Sequence, residues 1–187
     1  MRPIQKLLLL SNYINLFGFA LFSPLYALFA LDIGAGAFQT GIAYGLYVGL
    51  AGVLIIVLGK LEDGSKHKRK LVVFGYFWLA FASLLFLLVK SPTSLYVVQA
   101  INAIGQGILI PAWKATYSHY EDKGKEASEW SFFDGGNMIF TAVAAVIGGY
   151  LVKLYGFHII FILMFIIQFS AAILSLRLMK LARKNSY

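Results

Sequence analysis

The stretch NAIGQGILIPAW, Asn102 to Trp113, lies inside a long apolar run, yet it carries two amides, two glycines and a proline. In lipid such residues are unfavourable unless something satisfies or uses them. The same arrangement occurs once more, in NLFGFALFSPLY, Asn15 to Tyr26. Both read N-x-x-G-x-x-x-x-x-P-x-aromatic. Asn15 and Asn102, Gly18 and Gly105, Pro24 and Pro111, and Tyr26 and Trp113 are each 87 positions apart. A weaker echo, 90 positions apart, relates Gly59-Lys60 to Gly149-Tyr150.

The chain around these copies is 60% hydrophobic and 13% charged over 187 residues. An ordinary soluble domain has about 45–50% apolar and about 25% charged residues. A surplus of this size has lipid as its solvent. Without cysteine there are no disulfides or thiolate metal sites, and no metal or cofactor is expected. The net charge of +8 would suggest nucleic-acid binding in a soluble protein. Here the basic residues sit between apolar runs, so membrane topology accounts for them and no nucleic-acid partner is expected.

A spanning helix needs about 20 largely apolar residues. Six windows qualify: about Leu7–Leu31, Thr40–Gly59, Leu71–Val89, Leu95–Thr116, Trp130–Leu154 and His158–Leu181. The first is too long for the apolar part of a cleaved signal peptide, about 7–15 residues. Continuous apolar runs without alternation argue for helices and against a barrel.

With the N-terminus inside, one face holds Arg2, Lys6, Lys60, Lys66, Lys68, Arg69, Lys70, Lys114, Lys123, Lys125, Arg177, Lys180, Arg183 and Lys184, and the other only Lys90 and Lys153. Fourteen against two places both termini in the cytoplasm and the chain in the cell membrane. Trp113, Tyr117, Tyr120 and Trp130 near the inner surface read as an interfacial aromatic belt.

The expected architecture is an all-α membrane protein, one six-helix domain over residues 1–187. It divides into repeats at about 5–90 and about 94–182. Three spans per repeat is odd, so the second copy enters from the opposite side. This is the inverted repeat of many secondary transporters, in which paired Gly/Pro-interrupted helices point to the substrate region.

The loop between the second and third spans, GKLEDGSKHKRKL from Gly59 to Leu71, resembles the signature loop of the major facilitator superfamily, roughly G-x-L-x-D-R-x-G-R-[RK]. Gly59, Leu61 and Asp63 match in register, and Lys68, Arg69 and Lys70 supply the basic cluster. LYVVQAINAIGQGILIPA, Leu95 to Ala112, is similar to the family's fourth-helix motif. Gly148-Gly149 and Gly156-Phe157-His158 resemble the ends of its fifth and sixth helices. The resemblance covers nearly the whole chain, as one six-helix half of a twelve-helix fold. It implies that Asp63 steadies one conformational state. There are departures: Gly64 and Lys66 replace an arginine and a glycine of the loop, Gln99 replaces the arginine linked to proton coupling, and Ala144-Ala145 replaces the Gly-Pro of antiporters. The fold inference survives these changes; proton coupling and antiport do not follow.

Candidate pathway residues are Asn15, Tyr26, Tyr44, Tyr47, Gln99, Asn102, Gln106 and Asn137. Asn102 and Gln106 share a helix face. They either line a polar cavity or hydrogen-bond to neighbouring helices. Candidate gating positions are Gly59, Asp63, Lys68, Arg69 and Asp134. Asp134 lies inside the fifth span, as a gate, a proton site or an acid favoured by the helix dipole. Gly18, Gly105, Gly148 and Gly149 suit close helix contact, and Pro24 and Pro111 suit helix bends.

With no intramembrane Lys or Arg away from the span ends, a small neutral or cationic organic solute is favoured. The partners expected are the bilayer, that solute, and a second copy or another six-helix half. A homodimeric half-size transporter is the first reading. The alternatives are the N-terminal half of a twelve-helix transporter, whose central loop would begin at ARKNSY, and a membrane adaptor that transports nothing. No HExxH or GxSx motif is present, so an enzyme is not expected.

Overall fold

The computed structural model describes residues 1–184, with side chains through Leu181; the side chains of Arg183 and Lys184, tallied above, lie outside the described residues. The first span is α1 (Pro3–Ala20), a short 3₁₀ turn at Ser23–Leu25, and α2 (Tyr26–Asp32). The second to fifth spans are α3 (Ala37–Glu62), α4 (Lys68–Leu84, extended by a 3₁₀ turn at Leu85–Leu88), α5 (Pro92–His119) and α6 (Glu126–Tyr155). The sixth is α7 (Phe157–Ser175), followed by α8 (Arg177–Lys184). No strand is present among the described residues, and six helices are long and apolar enough to cross a membrane.

The helices stop where the chain chemistry stops them. Pro24 sits inside the Ser23–Leu25 turn, where its missing N–H breaks the first span. Pro92 opens α5 behind a Ser91 cap, whose Oγ accepts from the Ser94 amide at 3.3 Å. Gly156, at φ 73°, ends α6 and starts α7 in a conformation that only glycine adopts freely. Pro111 behaves differently. α5 stays helical through it, so the interruption realised at Pro24 has no counterpart in the fourth span. Packing on α3 and α4 along its length holds α5 in one piece.

α5 packs on α3 and α4, α4 on α7, and α7 on α1; α6 lies mainly on α1. The second and fifth spans are therefore flanking helices, each supported on one side. Lipid offers no hydrophobic drive for this packing, so close backbone approach and hydrogen bonds carry it. A Cβ on Gly75 would meet Leu109 Cβ at 2.8 Å, and one on Gly107 would meet Leu54 Cβ at 2.5 Å. One on Gly105 would meet Leu79 Cδ2 and Trp78 Cδ1 at 2.6 Å. The Trp78 indole donates to the Ile101 carbonyl at 2.8 Å across the same contact.

Two buried clusters form. One, around Phe22, Phe29, Phe86 and Phe161, lies toward the weakly charged face. The other, around Leu8, Tyr76, Trp113 and Tyr117, lies toward the basic face. This second cluster corrects the aromatic-belt expectation. Trp113 and Tyr117 are only 3% and 0% exposed and stack on each other at 4.9 Å, with Trp130 and Phe133 against them. Their polar atoms find partners inside: Trp113 Nε1 donates to the Leu8 carbonyl, and the Tyr117 hydroxyl to the Glu129 carbonyl. A ring whose polar tip is satisfied internally has no need of the interface.

Candidate functional site

Between the flanking helices α3 and α6 lies an open cavity of about 500 Å³. Its floor comes from the interrupted first span, with Phe19, Phe22, Pro24 and Tyr26, and from Gln99 on α5. Tyr44 and Tyr47 on α3 form one wall, and Thr141 and Ala145 on α6 the other. The Tyr26 and Tyr44 rings are 6.2 Å apart, Tyr44 and Tyr47 6.5 Å, and Phe22 and Tyr26 6.0 Å. No charged residue lines this space. The Tyr26 hydroxyl has no partner within the protein, and Gln99 is buried beside it in the same lining. Ring faces suit an apolar or cationic organic group, and the Gln99 amide, beside the buried Tyr26 hydroxyl, offers polar contacts to it.

Four of the candidate pathway residues, Tyr26, Tyr44, Tyr47 and Gln99, thus meet in one cavity. The other four lie elsewhere. Asn102 is buried and turns back on its own helix, with Nδ2 donating to the Val98 carbonyl at 3.0 Å. Gln106 lies beside Tyr47 where α3 and α5 meet. Asn137 accepts from Asn12 Nδ2 at 2.7 Å, joining α6 to α1. Asn15 is buried on α1 with its Oδ1 unpartnered.

The packing positions divide as well. Gly18 faces Gln168 and Ile167 of α7, Gly59 faces Pro111, and Gly148 lies against the Leu21 backbone. Nothing approaches Gly149. Asp63 caps the end of α3 and is exposed, while Lys68 and Arg69 are half-buried at the start of α4. Asp134 is exposed on α6, on the stripe that continues through Thr141 and Ala145.

The structure adds residues that sequence patterning passed over. Glu129 is 1% exposed and accepts from Gln5 Nε2 at 2.5 Å. It reads in sequence as one more acid of a charged loop, and its partner is 124 positions away. Glu62, beside the signature aspartate, is buried whereas Asp63 is not. Tyr13 donates to the Phe132 carbonyl and stacks on Phe140 at 4.9 Å. On the basic face the Met1 ammonium lies 2.9 Å from Asp122, and Arg2 Nε lies 3.4 Å from it. The Met1–Asp122 hydrogen bond raises the pKa of the ammonium and lowers that of the carboxyl. Among the described residues no group of three or more His, Cys, Asp or Glu side chains is placed to hold a metal.

Comparison with known families matches the Major Facilitator Superfamily over residues 8–187. A Bacillus subtilis (strain 168) protein named "Uncharacterized MFS-type transporter YitZ" is 25% identical over 162 residues, which cover 86% of this chain and 98% of that protein. An uncharacterized MFS-type transporter of Methanocaldococcus jannaschii is 21% identical over 166 residues, 89% of this chain but 43% of that protein. The chain therefore spans nearly all of the first relative and less than half of the second.

Proposed function

The chain belongs to the major facilitator superfamily, and on that premise we propose that two copies of it build one transporter that carries a small organic solute by alternating access. It is an integral membrane protein and a membrane transporter, not an enzyme. The observation that carries the proposal is the aromatic cavity left open between α3 and α6. One chain supplies a floor and two walls, and a second chain facing it closes the fourth side.

The flanking helices support the same reading. Nothing in the chain approaches Gly41, Gly45 and Gly49 on α3 or Gly135 and Gly149 on α6. Glycine gains nothing from lipid, but it lets helices pack closely. A two-fold axis along the membrane normal sets α3 of one copy against α6 of the other, twice. Gly45 and Gly149 then lie about two turns from the ends of their helices, on the same weakly charged side.

Internally, the fold is read as inverted repeats over about 5–90 and about 94–182. Exchanging the first span with the fourth, second with fifth and third with sixth turns the α3–α5 contact into that of α6 with α1. It turns α4–α5 into α1–α7, and leaves α4–α7 unchanged. Fourteen of sixteen basic residues on one face favour cytoplasmic termini in the cell membrane. The uncharged aromatic lining favours a neutral or cationic solute.

The second reading, the N-terminal half of a twelve-helix transporter, is favoured by the Methanocaldococcus relative, of which the chain covers 43%. Uptake by proteoliposomes containing only this chain decides between them. Flux of an organic cation from a screened panel is expected from the chain alone. Flux only after a different six-helix half is added rejects the homodimer.

A further inference from the structure

The loop after the second span, the last turns of α5 and Met179 of α8 enclose a second concavity, of about 520 Å³, on the basic face. Lys66, Lys68, Arg69 and Lys70 converge on it, with Thr116 and His119 opposite, and no acid among the lining residues. Salt bridges among the described residues engage Met1 and Arg2 alone, so none of these four cations is in one. Glu62 faces Lys68 from inside the protein and offsets at most one charge. Like charges held this close are unfavourable unless a counter-charge joins them.

The cluster is also held in place. Arg69 donates to the Tyr120 hydroxyl at 2.5 Å and lies 5.7 Å from the centre of its ring. α4 begins at Lys68, and its first amides receive no side-chain cap, so a 17-residue helix directs its positive end at the same space. Because Lys68 is also the first residue of the third span, the concavity lies at headgroup depth, where anionic lipid is locally abundant.

We infer that this concavity binds the phosphate of an anionic phospholipid headgroup. Arg69 and the amide end of α4 meet the phosphate oxygens. Lys66 and Lys70 complete the neutralisation, while the Thr116 hydroxyl donates to the Ala112 carbonyl and only lines the floor. The bound lipid bridges the loop to the ends of α5 and α8.

The test uses the full chain purified in a neutral detergent and native mass spectrometry with phosphatidylglycerol and phosphatidylcholine of equal chain length. One phosphatidylglycerol retained per chain is expected, in preference to phosphatidylcholine. Each cation removed weakens retention roughly fivefold. Lys66→Gln/Arg69→Gln/Lys70→Gln together abolish it, while Lys114→Gln, an exposed cation outside the lining, leaves it unchanged. If the triple variant does not fold, as judged by circular dichroism, the single variants are read at fivefold each. Equal retention of both lipids, retention by the substituted chains, or an equal loss from Lys114→Gln overturns the inference. Displacement of the lipid by millimolar inorganic phosphate assigns the site to a soluble anion, which also overturns it.

Discussion

Asn12 on α1 donates its side-chain amide to Asn137 on α6 over 2.7 Å. Beside it, Tyr13 bonds the Phe132 carbonyl and stacks on Phe140. The fifth span has little other support in the chain, lying mainly on α1. A hydrogen bond between helices in lipid contributes about 0.6–1.7 kcal/mol. A double-mutant cycle of Asn12→Ala and Asn137→Ala, read by unfolding in detergent, is expected to give a coupling in that range. A coupling of zero contradicts the helix-joining role. Loss of solute affinity at unchanged stability would return Asn137 to the pathway.

Gln5 and Glu129 form the buried polar contact at the basic end, 2.5 Å apart. Gln5→Leu leaves a buried carboxylate short of a donor, a cost of about 1–3 kcal/mol or more. Glu129→Gln removes the buried charge along with its 3.3 Å ion pair to the Met1 ammonium, which keeps Asp122 as partner. It retains hydrogen-bonding capacity, so it costs less. Melting temperatures of the two variants check the order. Gln5→Leu melting at or above Glu129→Gln contradicts it.

Glycine-to-alanine changes are expected to separate into two groups. A Cβ on Gly75 would lie 3.0 and 3.3 Å from Leu109 Cα and N, and one on Gly148 would run into the Leu21 backbone. Backbone cannot step aside, so Gly75→Ala and Gly148→Ala each cost about 1–3 kcal/mol. Gly45→Ala and Gly149→Ala meet nothing within 4 Å in the chain and, by removing glycine's conformational penalty in a helix, stabilise a single copy by about 0.4–1 kcal/mol. Unfolding at low protein-to-detergent ratio checks the ranking.

Much of this architecture was legible because lipid imposes strict lengths. The six apolar windows of the sequence match the six helices to within a few residues at each end, the third window running one residue past its helix, which ends at Leu88. The first-span break follows from Pro24 in the same way. Side-chain partners were less legible. Asn102 and Asn137 are alike in sequence, yet one bonds its own helix and the other a neighbour 125 positions away. Trp113 carries the composition of an interfacial ring, and its burial depends on Leu8, Tyr117 and Phe133 arriving from elsewhere in the chain. At the candidate site the tyrosines of α3 were recognisable as aromatic lining. That they face Gln99 and Tyr26 was fixed only by the packing of α3 on α5.

The cavity makes a prediction about transport. Gln99→Leu keeps the volume of the side chain and removes its amide, and Tyr26→Phe removes only a hydroxyl. Each is expected to lower kcat/KM for the solute by about tenfold, the equivalent of about 1.4 kcal/mol. Neither lowers the melting temperature appreciably. A fall in stability with unchanged kcat/KM makes these groups structural.

The most direct test of the two-copy transporter is crosslinking between chains. The native sequence has no cysteine, so Gly45→Cys and Gly149→Cys chains produced together in one membrane report on a single contact. The account predicts a mixed dimer on oxidation or with a short bismaleimide. It predicts none from Phe81→Cys with Ile166→Cys, on the face where α4 and α7 meet. Absence of the first dimer, or formation of the second in its place, contradicts the account.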